Sequence, residues 1–196
     1  MRFEILNSTL YIVKWYIIVL LAFATQVKAV TPRTLPQDQA VHFCRLLCDF
    51  ESQTSNLKSQ ITIYPLSVYA RRLTMLLCHD SRYGSYSAEQ VFTGLIFYYD
   101  DWVAERLPYS NGEGRYLMEE LHSGHTLRLF PHVVGGRATW YAPTDQLPAS
   151  LGTEHQKYVS EAFPRLNALV QANDWKAVDT FIDRMIRYQC KFGGGT

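Results

Sequence analysis

Residues 154–186, EHQKYVSEAFPRLNALVQANDWKAVDTFIDRMI, decide the fold class. Tyr158, Val159, Phe163, Leu166, Leu169 and Val170 recur at the spacing that puts them on one side of an α-helix. Pro164 falls inside this run and predicts a kink or a break, because it has no N–H to give and its ring crowds the preceding turn. Asn173 or Asp174 is then placed to cap a second helix, whose apolar side is Trp175, Val178, Phe181, Ile182, Met185 and Ile186. That helix should stop before Gly193-Gly194-Gly195, which leaves residues 193–196 as a flexible tail.

Reading outward from this C-terminal helical pair, Thr126-Leu127-Arg128-Leu129-Phe130 alternates as a strand and Pro131 follows it. Thr139-Trp140-Tyr141 is placed to be its antiparallel partner across Gly135-Gly136. Arg115 to Leu121 reads as a short helix, with loops at 108–114 and 148–153. Ser87-Ala88-Glu89-Gln90 has the spacing of a capping box, and the helix it opens carries Val91, Phe92, Leu95, Ile96 and Tyr99, with Asp100-Asp101-Trp102 closing or continuing it. An earlier helix begins at Leu66 and carries Val68, Leu73, Leu76 and Leu77, so the two should form a helical hairpin. Ile61-Thr62-Ile63-Tyr64 is a short strand that Pro65 ends, residues 51–60 are a polar loop, and residues 39–50 are amphipathic as helix or strand. The expected class is α+β: a mainly helical domain over residues 41–192, with a small antiparallel β element.

At the other end, Arg2 and Lys14 precede the apolar run Trp15–Ala24, which is about ten residues where a spanning helix needs about 20. Val27-Lys28-Ala29 then has a small-x-small cleavage pattern, and Pro32 and Pro36 break any helix. Residues 1–29 therefore read as a secretory signal peptide, or as a signal anchor holding the chain to the inner membrane, and residues 30–40 as a linker. The expected location is periplasmic or otherwise extracytoplasmic. Losing Arg2, Glu4, Lys14 and Lys28 takes the formal charge from +1 to −1. A nucleic-acid binder would carry a basic excess, which is missing from all 196 residues.

Export places Cys44, Cys48, Cys78 and Cys190 in an oxidising compartment, where two disulfides are allowed and three pairings stay open. Cys44 and Cys48 share a face if their stretch is helical. Their spacing is neither that of a thioredoxin-type redox pair nor that of covalent haem attachment, and zinc knuckles are missing.

Motifs of high catalytic specificity are missing too. His122, His125 and His132 are the densest histidine cluster; they suit haem contacts or, in a secreted metal-dependent enzyme, a metal, against the plainer reading of a polar turn before a strand. Asp100-Asp101 and Glu119-Glu120 are sequence neighbours, which point different ways on a helix and so make poor acid–base pairs. Ser123 and Ser150 lack a nucleophile elbow. Trp102, Trp140 and Tyr141 are candidates for an aromatic surface facing a porphyrin or an unfolded peptide, with core packing as the alternative.

Several segments, taken in order, resemble a known family. They are Ile63-Tyr64-Pro65-Leu66 with Tyr69-Ala70-Arg71-Arg72-Leu73-Thr74; Tyr86 to Gly94 with Phe97 and Trp102; Phe130-Pro131; Trp140-Tyr141-Ala142-Pro143 with Leu147-Pro148; and Trp175-Lys176-Ala177-Val178 with Ile182-Asp183, Ile186 and Tyr188-Gln189. Together they are similar to the extracytoplasmic region of bacterial cytochrome c biogenesis proteins, the large fused synthases, over roughly residues 40–192. The transmembrane helices and the Trp-rich haem-handling segment of full-length members are missing, and no catalytic residue of the family carries over. The resemblance implies an accessory in cytochrome c biogenesis that contacts haem, apocytochrome c or a membrane cytochrome c synthase. The alternative is an envelope binding or scaffold protein with no haem role.

Overall fold

In a computed structural model, which describes residues 31–49, 63–105, 107–109, 112–134 and 136–193, seven helices and three small antiparallel hairpins surround one core. The class is α+β and mainly helical, as the periodicity implied. The expected signal segment at 1–29, the expected loop at 51–60 and the last three residues of the expected tail lie outside the described residues.

The chain is described from Thr31, and it is part of the fold at once. Pro32 is buried, Leu35 is wholly buried, and Arg33 holds Asp101 through Nε at 2.7 Å and a terminal nitrogen at 3.1 Å. The domain therefore takes in residues 32–40, which the sequence reading assigned to a linker; the prolines there end helices but do not stop Leu35 from filling a core position. Helix α1 follows at Gln37–Phe43 and strand β1 at Leu47–Asp49, so both readings of residues 39–50 are realised in succession. Cys44 caps α1 rather than continuing it, and it shares no helical face with Cys48 in β1.

Strand β2, Ile63–Pro65, pairs with β1 and runs straight into helix α2, Leu66–Cys78. His79 ends α2 in a left-handed conformation. A minimal hairpin, β3 at Arg82–Tyr83 and β4 at Tyr86–Ser87, leads to helix α3, Ala88–Phe97. The capping box forms as expected: Ser87 Oγ accepts from Gln90 N–H while the Gln90 side chain accepts from Ser87 N–H. Helix α3 is buried from Val91 to Phe97, packed on α2, on α1 and on helix α5 at Gly112–Ser123. The short helix α4, Tyr99–Ala104, carries Trp102 back against α3 at Gly94, where a Cβ would overlap the indole.

Strands β5, Phe130–Val134, and β6, Arg137–Tyr141, make the expected hairpin, but β5 lies four residues beyond the predicted strand. Leu127 and Leu129 are both fully buried in irregular chain, so the alternation at 126–130 reports burial without pairing. Pro131 sits inside β5 because a two-stranded sheet leaves each strand an unpaired edge, where a missing N–H costs nothing.

Helices α6, Thr153–Gln171, and α7, Trp175–Phe192, form the C-terminal pair. Helix α6 runs through Pro164 without a break. Pro164 and Ser160 are both exposed, so the carbonyl left unpaired by the missing N–H lies on the solvent side of the helix. Asp174 caps α7, accepting from Ala177 N–H at 3.1 Å. Gln189 is buried and ties α7 to two other segments: its amide donates to Leu47 O at 2.7 Å and Leu129 O at 2.8 Å, and its oxygen accepts from Leu47 N–H at 2.9 Å. No helix among the described residues is long and apolar enough to cross a membrane.

Candidate functional site

The three predicted histidines do not come together. His122, at the end of α5, points Nδ1 at Ile96 O at 3.0 Å and stacks on Tyr99 with ring centres 4.4 Å apart, so it serves the α3–α4–α5 packing. His125 is exposed in the following turn, where its Nδ1 lies 3.1 Å from Ser123 Oγ. The Ser123 hydroxyl donates to Glu120 O at 2.8 Å, so the imidazole N–H supplies the proton of the Ser–His contact. This is the geometry of a helix-ending turn, and the histidine holds no free nitrogen towards the serine to activate it. His132 belongs to β5 and has different neighbours altogether. Among the described residues no group of three or more His, Cys, Asp or Glu side chains could hold a metal ion.

The aromatic surface also needs correction. Trp102 is fully buried between Tyr83 and Tyr86 and donates through Nε1 to Arg33 O at 2.7 Å. Trp140 is 4% exposed and Tyr141 half-buried against the core. The bulk of an indole makes burial its most favourable use, and the core takes both tryptophans. The cysteines form no disulfide: all four thiols are free, with Cys44, Cys48 and Cys78 buried and Cys190 exposed on α7. They sit on a helix cap, a strand and two different helices, and that dispersal, rather than any pairing, is what the fold imposes.

What the structure does gather is a set of rings where β5 meets the C-terminal pair. Alternation along β5 puts Phe130 and His132 on one face. Three-residue spacing on α6 puts His155 and Tyr158 together, and four-residue spacing on α7 does the same for Tyr188 and Phe192. Tyr158 and Tyr188 stack at 4.7 Å, Phe192 meets the His155 ring edge-on at 4.5 Å, and Phe130 meets both tyrosines at 6.0–6.1 Å. The His132 and His155 rings are 6.1 Å apart.

Two polar atoms in this set are buried without a hydrogen-bond partner, His132 Nδ1 and the Tyr158 hydroxyl; Trp140 Nε1 on β6 is a third of the same kind nearby in the hairpin. Burial pushes the Tyr158 phenol above its ordinary pKa against the opposing charge of Arg184, and burial followed by Tyr158 pushes Tyr188 up to about 12. Both phenols are therefore neutral donors at neutral pH. The Lys191 ammonium lies 5.1 Å from the Phe192 ring, a cation–π distance at the end of the cluster. Of these residues the sequence reading named only His132 as a candidate site residue. The signal for His155, Tyr188 and Phe192 was the spacing of polar and aromatic residues along α6 and α7, while Tyr158 stood in the apolar stripe itself.

Compared with known proteins, the chain matches no family model, and no curated protein sequence matches it.

Proposed function

We propose that this chain is a non-enzymatic accessory protein of cytochrome c biogenesis, exported to the extracytoplasmic side, where it acts by contact with haem, apocytochrome c or a membrane cytochrome c synthase. The order of the segments similar to the exported region of the fused synthases supports this reading. The observation that carries it is the pair of buried, unpartnered polar atoms, His132 Nδ1 and the Tyr158 hydroxyl, set among aromatic rings. An unfilled buried donor or acceptor costs about 1–3 kcal/mol, which a ligand reaching it would offset. The donor set suits haem in kind, an imidazole among tyrosine and phenylalanine rings, with His132 as the group for the iron. Because His132 Nδ1 is covered, binding requires the surrounding rings to part.

The envelope scaffold with no haem role is favoured by a different observation: Trp102 and Trp140, the residues suited to stack on a porphyrin, are spent on the core. Titration of the full chain with ferric haem, followed at the Soret band, decides between the two. The expected result is a shifted band in the wild type, in His122→Ala and in His125→Ala, and at least about tenfold weaker binding in His132→Ala, equivalent to about 1.4 kcal/mol. An unshifted band in the wild type contradicts the haem role and leaves the scaffold.

A further inference from the structure

His42 lies near the end of α1, and α7 packs beside that helix. Its Nδ1 is 2.9 Å from Asp179 Oδ1 and its Nε2 is 3.0 Å from Asp183 Oδ1. Asp179 and Asp183 are one helical turn apart on α7, so both carboxylates present themselves to the same imidazole. The second oxygen of Asp179 accepts from Gln39 Nε2 at 3.1 Å. A carboxylate accepts and does not donate, so each contact needs a proton on the facing ring nitrogen. Neutral imidazole carries one proton for two nitrogens; only imidazolium carries both. The His42 side chain is 18% exposed, against 40% for Asp179 and 55% for Asp183, so water can replace the contact for either carboxylate more readily than for the ring.

We propose that His42, Asp179 and Asp183 form a proton-operated clasp, which closes α1 onto α7 when the imidazole is charged and slackens when it is neutral. The carboxylates bonded to His42 are Asp179 and Asp183 on α7; Asp38 stands one turn before it on α1, and α3, the other helix packed on α1, brings Glu89, whose charge acts on the Cys44 thiol. Loss of the ring proton breaks one of the two bonds and leaves a lone pair facing a carboxylate. Helix α1 stays anchored through buried Ala40 and Phe43, so the helix loosens on α7 rather than unfolding. What slackens is the hold of α7 on α1, while residues 32–34 keep their own bonds to Asp101, Tyr86, Gln90 and Trp102.

Burial works to raise the Asp179 pKa, but hydrogen bonds from His42 and Gln39 and the His42 charge outweigh it, and the net shift is downward. The stability Asp179 contributes is present above the ordinary carboxylate range and is lost as pH falls through its lowered pKa. A neutral ring carries one proton for two nitrogens and so serves only one of the two carboxylates. The clasp is complete only with both carboxylates charged and both ring nitrogens protonated.

Thermal unfolding of the full chain tests this, with wild type, His42→Gln and Asp183→Asn compared at about pH 5.5 and about pH 8. The expected result is that His42→Gln lowers Tm by about 2–4 °C more at the acid pH than at the alkaline one, and that Asp183→Asn shifts it in the same sense by less. Equal losses at the two pH values overturn the proposal. Nitrogen-15 NMR of the His42 ring in the wild type gives an independent reading: both nitrogens protonated at the acid pH is the expected state, and one bare nitrogen there overturns it.

Discussion

Each of the four cysteines has an environment that sets its reactivity. Burial pushes the Cys44 thiol well above its ordinary pKa, with the Glu89 charge adding to it, pushes Cys48 far up, and pushes Cys78 to about 11 with help from Asp80. Cys190 is exposed. A thiol reagent such as Ellman's is therefore expected to titrate one thiol in the native full chain and all four after denaturation; two or more fast native thiols would contradict this placement. Gly94 makes a second residue-level case. A Cβ there overlaps the Trp102 indole, which is fully buried, so Gly94→Ala is expected to cost about 1–3 kcal/mol in chemical unfolding. Gly112, exposed and with open space around it, is the control: Gly112→Ala is expected to be near neutral. Neither position was readable in advance. A glycine's lack of a side chain says nothing of what presses against it, and four cysteines say nothing of which elements will carry them.

The elements were more legible, in proportion to their length. Helices α6 and α7 and the capped start of α3 follow from apolar period and cap chemistry, which are local and dense in those stretches. Short pieces went astray. Leu127 and Leu129 alternate as a strand would, yet they are buried by neighbours that the local pattern does not contain. Residues 32–36 read as a linker because two prolines dominate them, while their fixing contacts come from Asp101, Tyr86, Gln90 and Trp102, more than fifty residues away. Gln189 is the element-scale joint. Its amide bonds β1 and the lead-in to β5 onto α7 from within the core. Gln189→Leu keeps the volume and leaves those backbone groups unsatisfied, so a loss of about 3 kcal/mol and a Tm lower by roughly 6–12 °C are expected. A change under about 1 kcal/mol would mean that the joint carries little of the assembly.

Across the whole molecule, α7 connects what the separate elements do. Asp179 and Asp183 hold α1, Gln189 holds β1 and the approach to β5, and Tyr188 and Phe192 complete the ring cluster with His132, His155 and Tyr158. Sequence order suggested an exported domain that works by touching other molecules, and it put the contact at His122, His125 and His132. The fold divides those three between a helix end, a turn and a strand. Of the three, only His132 has a ring nitrogen of its own buried without a partner. The site was hidden because its members come from three elements, and each element's own period had already been accounted for by core packing.

The most direct measurement is a chemical-shift map of the isotope-labelled full chain titrated with gallium protoporphyrin, a diamagnetic stand-in for haem. Perturbations centred on His132, His155, Tyr158 and Tyr188 are expected. Perturbations confined to His122 and His125, or none at saturating ligand, would contradict a contact role for the face between β5 and the C-terminal helices.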